Sequence, residues 1–361
     1  MLYANWSHQQ RVNIVWFKRD LRLRDHVPLA MAIRSGKPVI LLYVVEPSLI
    51  SDPHYDLRHW RFILESLNDL QYQLKPYNAT LQVAYGEVID VLQSMASQYA
   101  IETMLSYEEV GVATTFKRDI AVAQWCKQQG VAWKESPAGA VQRGLSHRLN
   151  WDANWKAAML DDCDHPNLGQ LQTITPSLPT FKPPQSWLTP HPLFQRGGAM
   201  MANRTLASFL QERGQHYMLG ISKPHASRRA CSRMSPYLAW GNISLRDMYQ
   251  QLLTHWQKPG WQRSVSGLSS RLHWHCHFIQ KFESECRMEF EHVNRAYDDF
   301  EYDESKESAA LLAQWESGET GFPLVDACMK CLQATGFTAF AQASHPPTLV
   351  GYPLGQHRVW L

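Results

Sequence analysis

Apolar runs of strand length alternate with amphipathic helical patterns along residues 1–135, and this alternation restricts the fold more than any other feature. The strand-like runs cover 12–17, 38–45, 81–84, 104–106 and 131–135, and helical patterns over 27–35, 56–74, 87–99 and 113–129 separate them. Strands that alternate with helices form parallel sheets covered on both faces. We therefore predict a doubly wound, five-stranded parallel sheet, in an α/β domain formed by residues 1–135. No GxGxxG follows the first strand, which argues against a nucleotide site of the NAD type.

The alternation of strand-like and helical patterns ends after Glu135. Residues 136–198 are rich in Gly and Pro, which predicts an interdomain connector with one short ordered excursion at 151–159. Helical patterns dominate residues 199–337, so the second domain is predicted to be all-α. A chain of 361 residues with 45% hydrophobic content can form two domains, each with its own core.

The overall charge and the cysteines limit the possible partners and the cellular compartment of the protein. With 35 basic against 33 acidic residues, any nucleic-acid surface must be a local patch. Seven widely spread cysteines, the lack of a signal peptide and the lack of a long apolar run indicate a reduced, cytoplasmic protein without a membrane segment. We expect a monomer.

A turn that could bind an anion is predicted at residues 231–244, which read CSRMSPYLAWGNIS. Ser232 and Ser235 precede Pro236 and the start of a helix, where backbone N–H groups have no intrahelical partner. Serine hydroxyls, free N–H groups and the helix dipole suit a pyrophosphate, and charge would come from Arg228, Arg229 and Arg233. An ordinary capped helix start is the alternative.

Three histidines and a cysteine stand close together in residues 271–278, RLHWHCHF. On a helix His273, His275 and His277 alternate by about 200° and cannot share one face. Only His273 with Cys276 or His277 would remain as a metal pair, so we predict no metal site.

Three stretches resemble the cryptochrome/photolyase family. Residues 15–25, VWFKRDLRLRD, are similar to its opening motif, with Lys18 in place of Arg. Residues 231–244 resemble its flavin-pyrophosphate turn, with Cys231 in place of Thr and Met234 in place of Leu. Residues 315–336 nearly repeat a third signature, with Lys330 where Arg is usual. The resemblance covers residues 11–337 and implies an antenna-type α/β domain followed by a helical FAD-binding domain.

The resemblance also implies which residues form the site. The residues expected to bind FAD are Tyr217, Cys231, Ser232, Arg233, Met234, Ser235, Arg271 and His275. Trp274, and beside it His277, are expected to meet substrate DNA, with Trp274 as the wall on which a flipped pyrimidine stacks. Arg271 replaces a substrate-binding Glu and His275 replaces an Arg, and an Arg cannot accept a hydrogen bond from a thymine N–H. No catalytic residue is assigned.

The implied function is that of a deoxyribodipyrimidine photolyase-like flavoprotein, a carbon–carbon lyase if FAD is bound. Reduced FAD, with or without an antenna pterin or deazaflavin, would pass an electron to a pyrimidine photoproduct in damaged DNA under blue light. Two alternatives are a cryptochrome-like photoreceptor without repair activity and a truncated, inactive family member.

The resemblance ends after Phe337. Residues 338–361 contain several prolines and no helical period, which predicts a disordered tail. We expect a frameshift or an early stop here, so that the FAD-binding domain lacks the family's C-terminal end.

Overall fold

The computed structural model describes residues 10–337 apart from 302 and 304, so the predicted tail at 338–361 lies outside the described residues. Five strands form one parallel sheet in the order β3-β2-β1-β4-β5. The strands are β1 Arg11–Phe17, β2 Val39–Val45, β3 Leu81–Tyr85, β4 Ala100–Tyr107 and β5 Ala132–Ser136. All seven residues of β2 are buried, as expected for a central strand covered on both faces. The predicted five-stranded α/β fold is confirmed.

Fifteen α-helices accompany the sheet within the described residues. They are α1 Val27–Arg34, α2 Pro47–Ile50, α3 Leu57–Leu74, α4 Val88–Ala96, α5 Ala113–Gln129, α6 Trp151–Leu160, α7 Gln185–Leu188, α8 Ala199–Gln211, α9 Tyr217–Gly220, α10 Pro224–Ala230, α11 Ser235–Ala239, α12 Leu245–Leu253, α13 Gln262–Ser284, α14 Lys306–Ser317 and α15 Pro323–Thr335. Beyond residue 199 the described chain forms helices and loops only, as predicted.

Two hydrophobic clusters lie on opposite faces of the sheet. The smaller cluster packs α4 and α5 against residues such as Ile14, Ile40 and Leu42. The larger cluster combines the other face of the sheet, including Val15 and Leu41, with residues of α8, α9, α11, α12 and α13. The helical half therefore shares the larger cluster with the α/β half, whereas the smaller cluster belongs to the α/β half alone.

The segment between the halves is packed onto the α/β domain. Thr173 bridges Val39 at the start of β2, and Thr180 bridges Ala84 on the edge strand β3. Trp187 stacks on Trp60 of α3 with ring centroids 5.0 Å apart. The Thr180 bridge occupies part of the β3 edge, which would otherwise expose unpaired backbone groups.

A close contact that we call the clasp joins residues 19–25, after β1, to residues 240–246. Leu21 N–H donates to the Trp240 carbonyl at 3.0 Å, and the Asn242 amide donates to the Leu21 carbonyl at 3.1 Å. Gly241 has φ +63°, and a Cβ there would lie 2.2 Å from the Arg19 carbonyl oxygen. Only glycine allows this approach. Two of the three stretches that carry the family resemblance thus touch each other.

None of the described helices combines the length and apolar character needed to span a bilayer.

Candidate functional site

The predicted turn lies between α10 and α11 and is shaped by a side chain from outside it, Arg213. Its guanidinium donates to the carbonyl oxygens of Cys231, Ser232 (2.9 Å) and Thr205 (3.1 Å). The C=O and N–H groups of one planar peptide point in opposite directions. Because Arg213 gathers the carbonyls of Cys231 and Ser232, the N–H groups of Ser232 and Arg233 point away from it.

The backbone of the turn has the form of an anion-binding nest. Arg233 has φ +64°, and Met234 follows with φ −93° and ψ −9°. Consecutive residues of opposite hand point their N–H groups into one concavity. Among the described residues, nothing accepts a hydrogen bond from the N–H groups of residues 232–235 or from the hydroxyls of Ser232 and Ser235. This donor set fits a pyrophosphate.

Several side chains expected at the turn are directed elsewhere. The Met234 side chain is fully buried in the core. Arg233 donates to the Gln195 side chain at 3.2 Å and lies over the Phe337 ring. Arg228 points to the Cys331 sulfur at 2.9 Å. Burial raises the pKa of the Cys231 thiol, which keeps it neutral. The backbone and the two serines therefore provide the donors. The conformation of the turn is held by Arg213, a residue that no sequence motif indicated.

Tyr217 and Arg271 lie beside the turn. The Tyr217 ring is buried edge-on against Phe209, and burial raises the pKa of its hydroxyl to about 12. The Tyr217 hydroxyl interacts with the Arg271 guanidinium, and Cys231 is a further neighbour. The structure thus brings together three of the residues predicted to bind FAD.

Trp274 is one of the exposed aromatic residues of α13, with 44% of its surface accessible. The Arg271 guanidinium lies over its ring at 4.4 Å from the centroid. Phe278, one turn later, meets the indole edge-on at 6.2 Å. Trp274 can therefore offer a flat surface to a ligand. The Arg271 guanidinium lies over one face of this ring.

The three histidines of α13 divide between two sides, as their spacing predicts. His273 lies between the indoles of Trp151 and Trp155, and one ring nitrogen is 2.9 Å from Asp152. His277 contacts the same Trp151, with Arg148 3.3 Å from its Nδ1. Both anchor helix α6 of the connector. No group of three metal-ligating side chains occurs in the part of the chain that the structure describes.

His275 is on the other side of α13. Its Nδ1 is enclosed and has no hydrogen-bond partner among the residues that the structure describes. Burial lowers the pKa of His275 to about 4, so the ring is neutral at pH 7. An enclosed polar atom without a partner is unfavourable unless a ligand or water supplies one. His275 therefore also fits the lining of a cofactor site.

A strongly basic stretch surrounds these residues. Residues 196–282 contain twelve Arg and Lys but only two carboxylates, Glu212 and Asp247. The chain as a whole is nearly balanced, so this stretch holds a local excess of positive charge. A count of charges along the sequence would have found it.

The carboxyl ends of β1 and β2 are the usual ligand edge of such a sheet. Here they carry a buried charge cluster, in which Arg118 pairs with Glu46 at 2.9 Å and with Glu109 at 2.6 Å. Burial raises the pKa of Glu46 to about 7 although Arg118 opposes it. The cavity left between these side chains is about 20 Å³. It has room for a water and not for a pterin or deazaflavin ring.

Two family models match the chain. The DNA photolyase model matches residues 13–142, and the model of the FAD binding domain of DNA photolyase matches residues 268–342. Cryptochrome-2 of Gallus gallus is 24% identical over 90% of this chain and 60% of its own length. Cryptochrome DASH of Synechocystis is 26% identical over 92% of this chain and 72% of its own length. The chain thus spans about 60% of the length of the first of these relatives.

Solved structures share the fold. A Synechocystis cryptochrome superposes with a TM-score of 0.86 at 21% identity, over 97% of this chain and 77% of that one. A class III photolyase from Agrobacterium tumefaciens gives a TM-score of 0.74 at 23% identity, over 95% and 73%. A photolyase from Sulfolobus tokodaii, solved with two FAD molecules, gives 0.69 at 23% identity, over 92% and 73%.

Proposed function

The chain belongs to the cryptochrome/photolyase family, and from this premise we propose that it binds FAD and acts on pyrimidine photoproducts in DNA under blue light. The observation that carries the proposal is the turn at 232–235, whose N–H groups and hydroxyls have no other acceptor among the described residues. When bound, reduced FAD would supply light absorption and an electron for the photoproduct. The protein would act in the cytoplasm as a monomer.

The chain's own residues would hold the cofactor by its phosphates. The nest formed by Arg233 and Met234 would receive the pyrophosphate, with Ser232 and Ser235 as hydroxyl donors. Tyr217 and Arg271 would border the same space, and His275 would receive a hydrogen bond at its enclosed Nδ1 or donate one from it. Cys231 contributes its carbonyl to Arg213 and not a charge to the phosphate.

Trp274 would stack a base that has been flipped out of the duplex, a contact worth about 1–3 kcal/mol. The basic stretch 196–282 would attract the phosphate backbone, so that binding weakens steeply as salt rises. His277 would support this wall by fixing α13 to the connector through Trp151.

A cryptochrome-like photoreceptor without repair activity is the second candidate. The observation that favours it is Arg271, which covers the Trp274 ring where a dimer-repairing relative would offer a carboxylate. An antenna pterin or deazaflavin stays a prediction, because the cavity of about 20 Å³ around Arg118 would have to widen to admit such a ring.

Binding of the full chain to duplexes with and without a single photoproduct tests the repair function. Trp274→Ala should abolish the preference for damaged DNA, whereas Trp256→Ala, an equally exposed indole at 41%, should keep it. Light-dependent loss of the lesion would then identify a repair enzyme. Equal affinity of wild type and Trp274→Ala for damaged duplex would remove Trp274 from the substrate pocket. Photoreduction of the flavin without lesion preference would favour the photoreceptor.

A further inference from the structure

We propose that Arg271 selects the base that stacks on Trp274 and favours cytosine over thymine. The inference rests on the proposed function, because it takes Trp274 as the stacking wall. It assigns to this pocket a class of substrate, a pyrimidine that presents two adjacent hydrogen-bond acceptors.

The first support is the position of the guanidinium. It lies 4.4 Å from the centroid of an indole that is 44% exposed, while Phe278 contacts the indole edge. A base that stacks on the indole face covered by Arg271 must share that face with the guanidinium or displace it. We expect the guanidinium N–H groups then to meet the polar edge of the base.

The second support is that Arg271 is not neutralised. No carboxylate pairs with it in the described parts of the chain, and α13 has no acidic residue from 262 to 282. Its side chain interacts with the neutral hydroxyl of Tyr217. Apart from this contact, the guanidinium donors have no acceptor among the described residues and can serve the acceptors of an incoming base.

The third support is that the donors of the guanidinium match the hydrogen-bonding edge of cytosine better than that of thymine. The guanidinium presents parallel N–H donors in a fixed fork and has no acceptor. Cytosine offers the adjacent acceptors O2 and N3, which such a fork can meet at once. Thymine carries an N3–H donor between its two carbonyls, so one N–H of the fork would face another donor. A bidentate contact of this kind discriminates between bases by roughly 5- to 150-fold.

The test compares labelled single strands of cytosine and of thymine, about 12 nucleotides long, by fluorescence anisotropy with the full chain at fixed salt. The readout is the ratio of the two affinities. Wild type should favour cytosine by at least about fivefold more than Arg271→Lys, which keeps the charge but loses the fork. Arg271→Glu should shift the ratio further toward thymine. Arg263→Lys, an exposed Arg on the same helix, should leave the wild-type ratio unchanged.

An unchanged ratio in Arg271→Lys and Arg271→Glu would overturn the inference. Binding of neither strand by wild type would overturn it as well, together with the role of Trp274. Flavin content and lesion repair are measured on the same preparations. A wild-type preference for cytosine with no flavin bound would leave the inference standing and remove the flavoprotein proposal, so the two failures are distinguishable.

Discussion

Arg246 donates from its Nε and from a terminal nitrogen to the two carboxylate oxygens of Asp25, at 3.2 and 2.5 Å. The pair spans the clasp, with only 17% of the Arg246 side chain and 3% of the Asp25 side chain exposed. Burial alone would raise the pKa of Asp25, but hydrogen bonds from Arg246 and Ser244 hold it below its usual range. The helical half of the chain is therefore fastened at α12 to the loop that follows β1.

Asp25→Asn should lower the free energy of unfolding by about 1–3 kcal/mol, because Arg246 loses its buried carboxylate partner and keeps only the exposed Asp161, at 3.4 Å. Arg34 and Asp164 form a matched bidentate pair with 61% of Arg34 exposed, and Arg34→Met should cost less than about 1 kcal/mol. Urea denaturation of both variants measures the difference. Similar losses in the two would mean that the Asp25 pair does not fasten the halves.

Gly241→Ala should lower the free energy of unfolding by more than the backbone strain alone would cost. A non-glycine residue at positive φ costs about 1–2 kcal/mol, and here the new methyl would also meet the Arg19 carbonyl oxygen. Gly130 has φ +69° with open space around it. Gly130→Ala therefore introduces the same backbone strain but no steric clash. If thermal denaturation gave the same loss of stability for both variants, the close approach at Gly241 would be unimportant.

Arg213→Met should weaken FAD binding by about tenfold or more, because the carbonyls of Cys231 and Ser232 lose the group that orients them. The affinity is measured by titrating apoprotein with FAD and following flavin fluorescence. Arg204→Met removes an exposed cation from the nearby helix α8 and serves as the control. An unchanged affinity in Arg213→Met would show that the turn holds its shape unaided.

His275 should make the chain less stable in acid. Its pKa is 6.5 in the unfolded chain and about 4 in the folded one, since burial disfavours the charged ring. The unfolded state therefore binds a proton first as the pH falls below 6.5, and the resulting loss is about 2 kcal/mol between pH 7 and pH 5. His275→Gln should remove this contribution from urea titrations at the two pH values. His59, with a pKa lowered to about 4 by burial, acts in the same direction and remains in both proteins. Parallel losses in wild type and variant would contradict the assignment.

Sequence patterns predicted those helices and strands that are determined by the periodicity and capping residues of their own segment. The amphipathic pattern over 56–74 became α3 at Leu57–Leu74, with Asp56 as its N-cap. The shared core and the clasp could not be read this way, because they join residues about 220 positions apart, such as Leu21 and Asn242. The turn was predicted from Ser232 and Ser235, but the role of Arg213 depends on a contact that only the folded chain creates. The domain boundaries and the assigned site residues remain predictions.

FAD binding is the central claim, and the visible absorption spectrum of the purified full chain tests it most directly. The chain is incubated with excess FAD, freed of unbound cofactor by gel filtration, and its flavin-to-protein ratio is measured. The account predicts a flavin band with about one FAD per chain, and a markedly lower ratio in Arg213→Met. A folded wild-type chain that elutes colourless would contradict the claim, since the free donors at 232–235 would then bind no flavin.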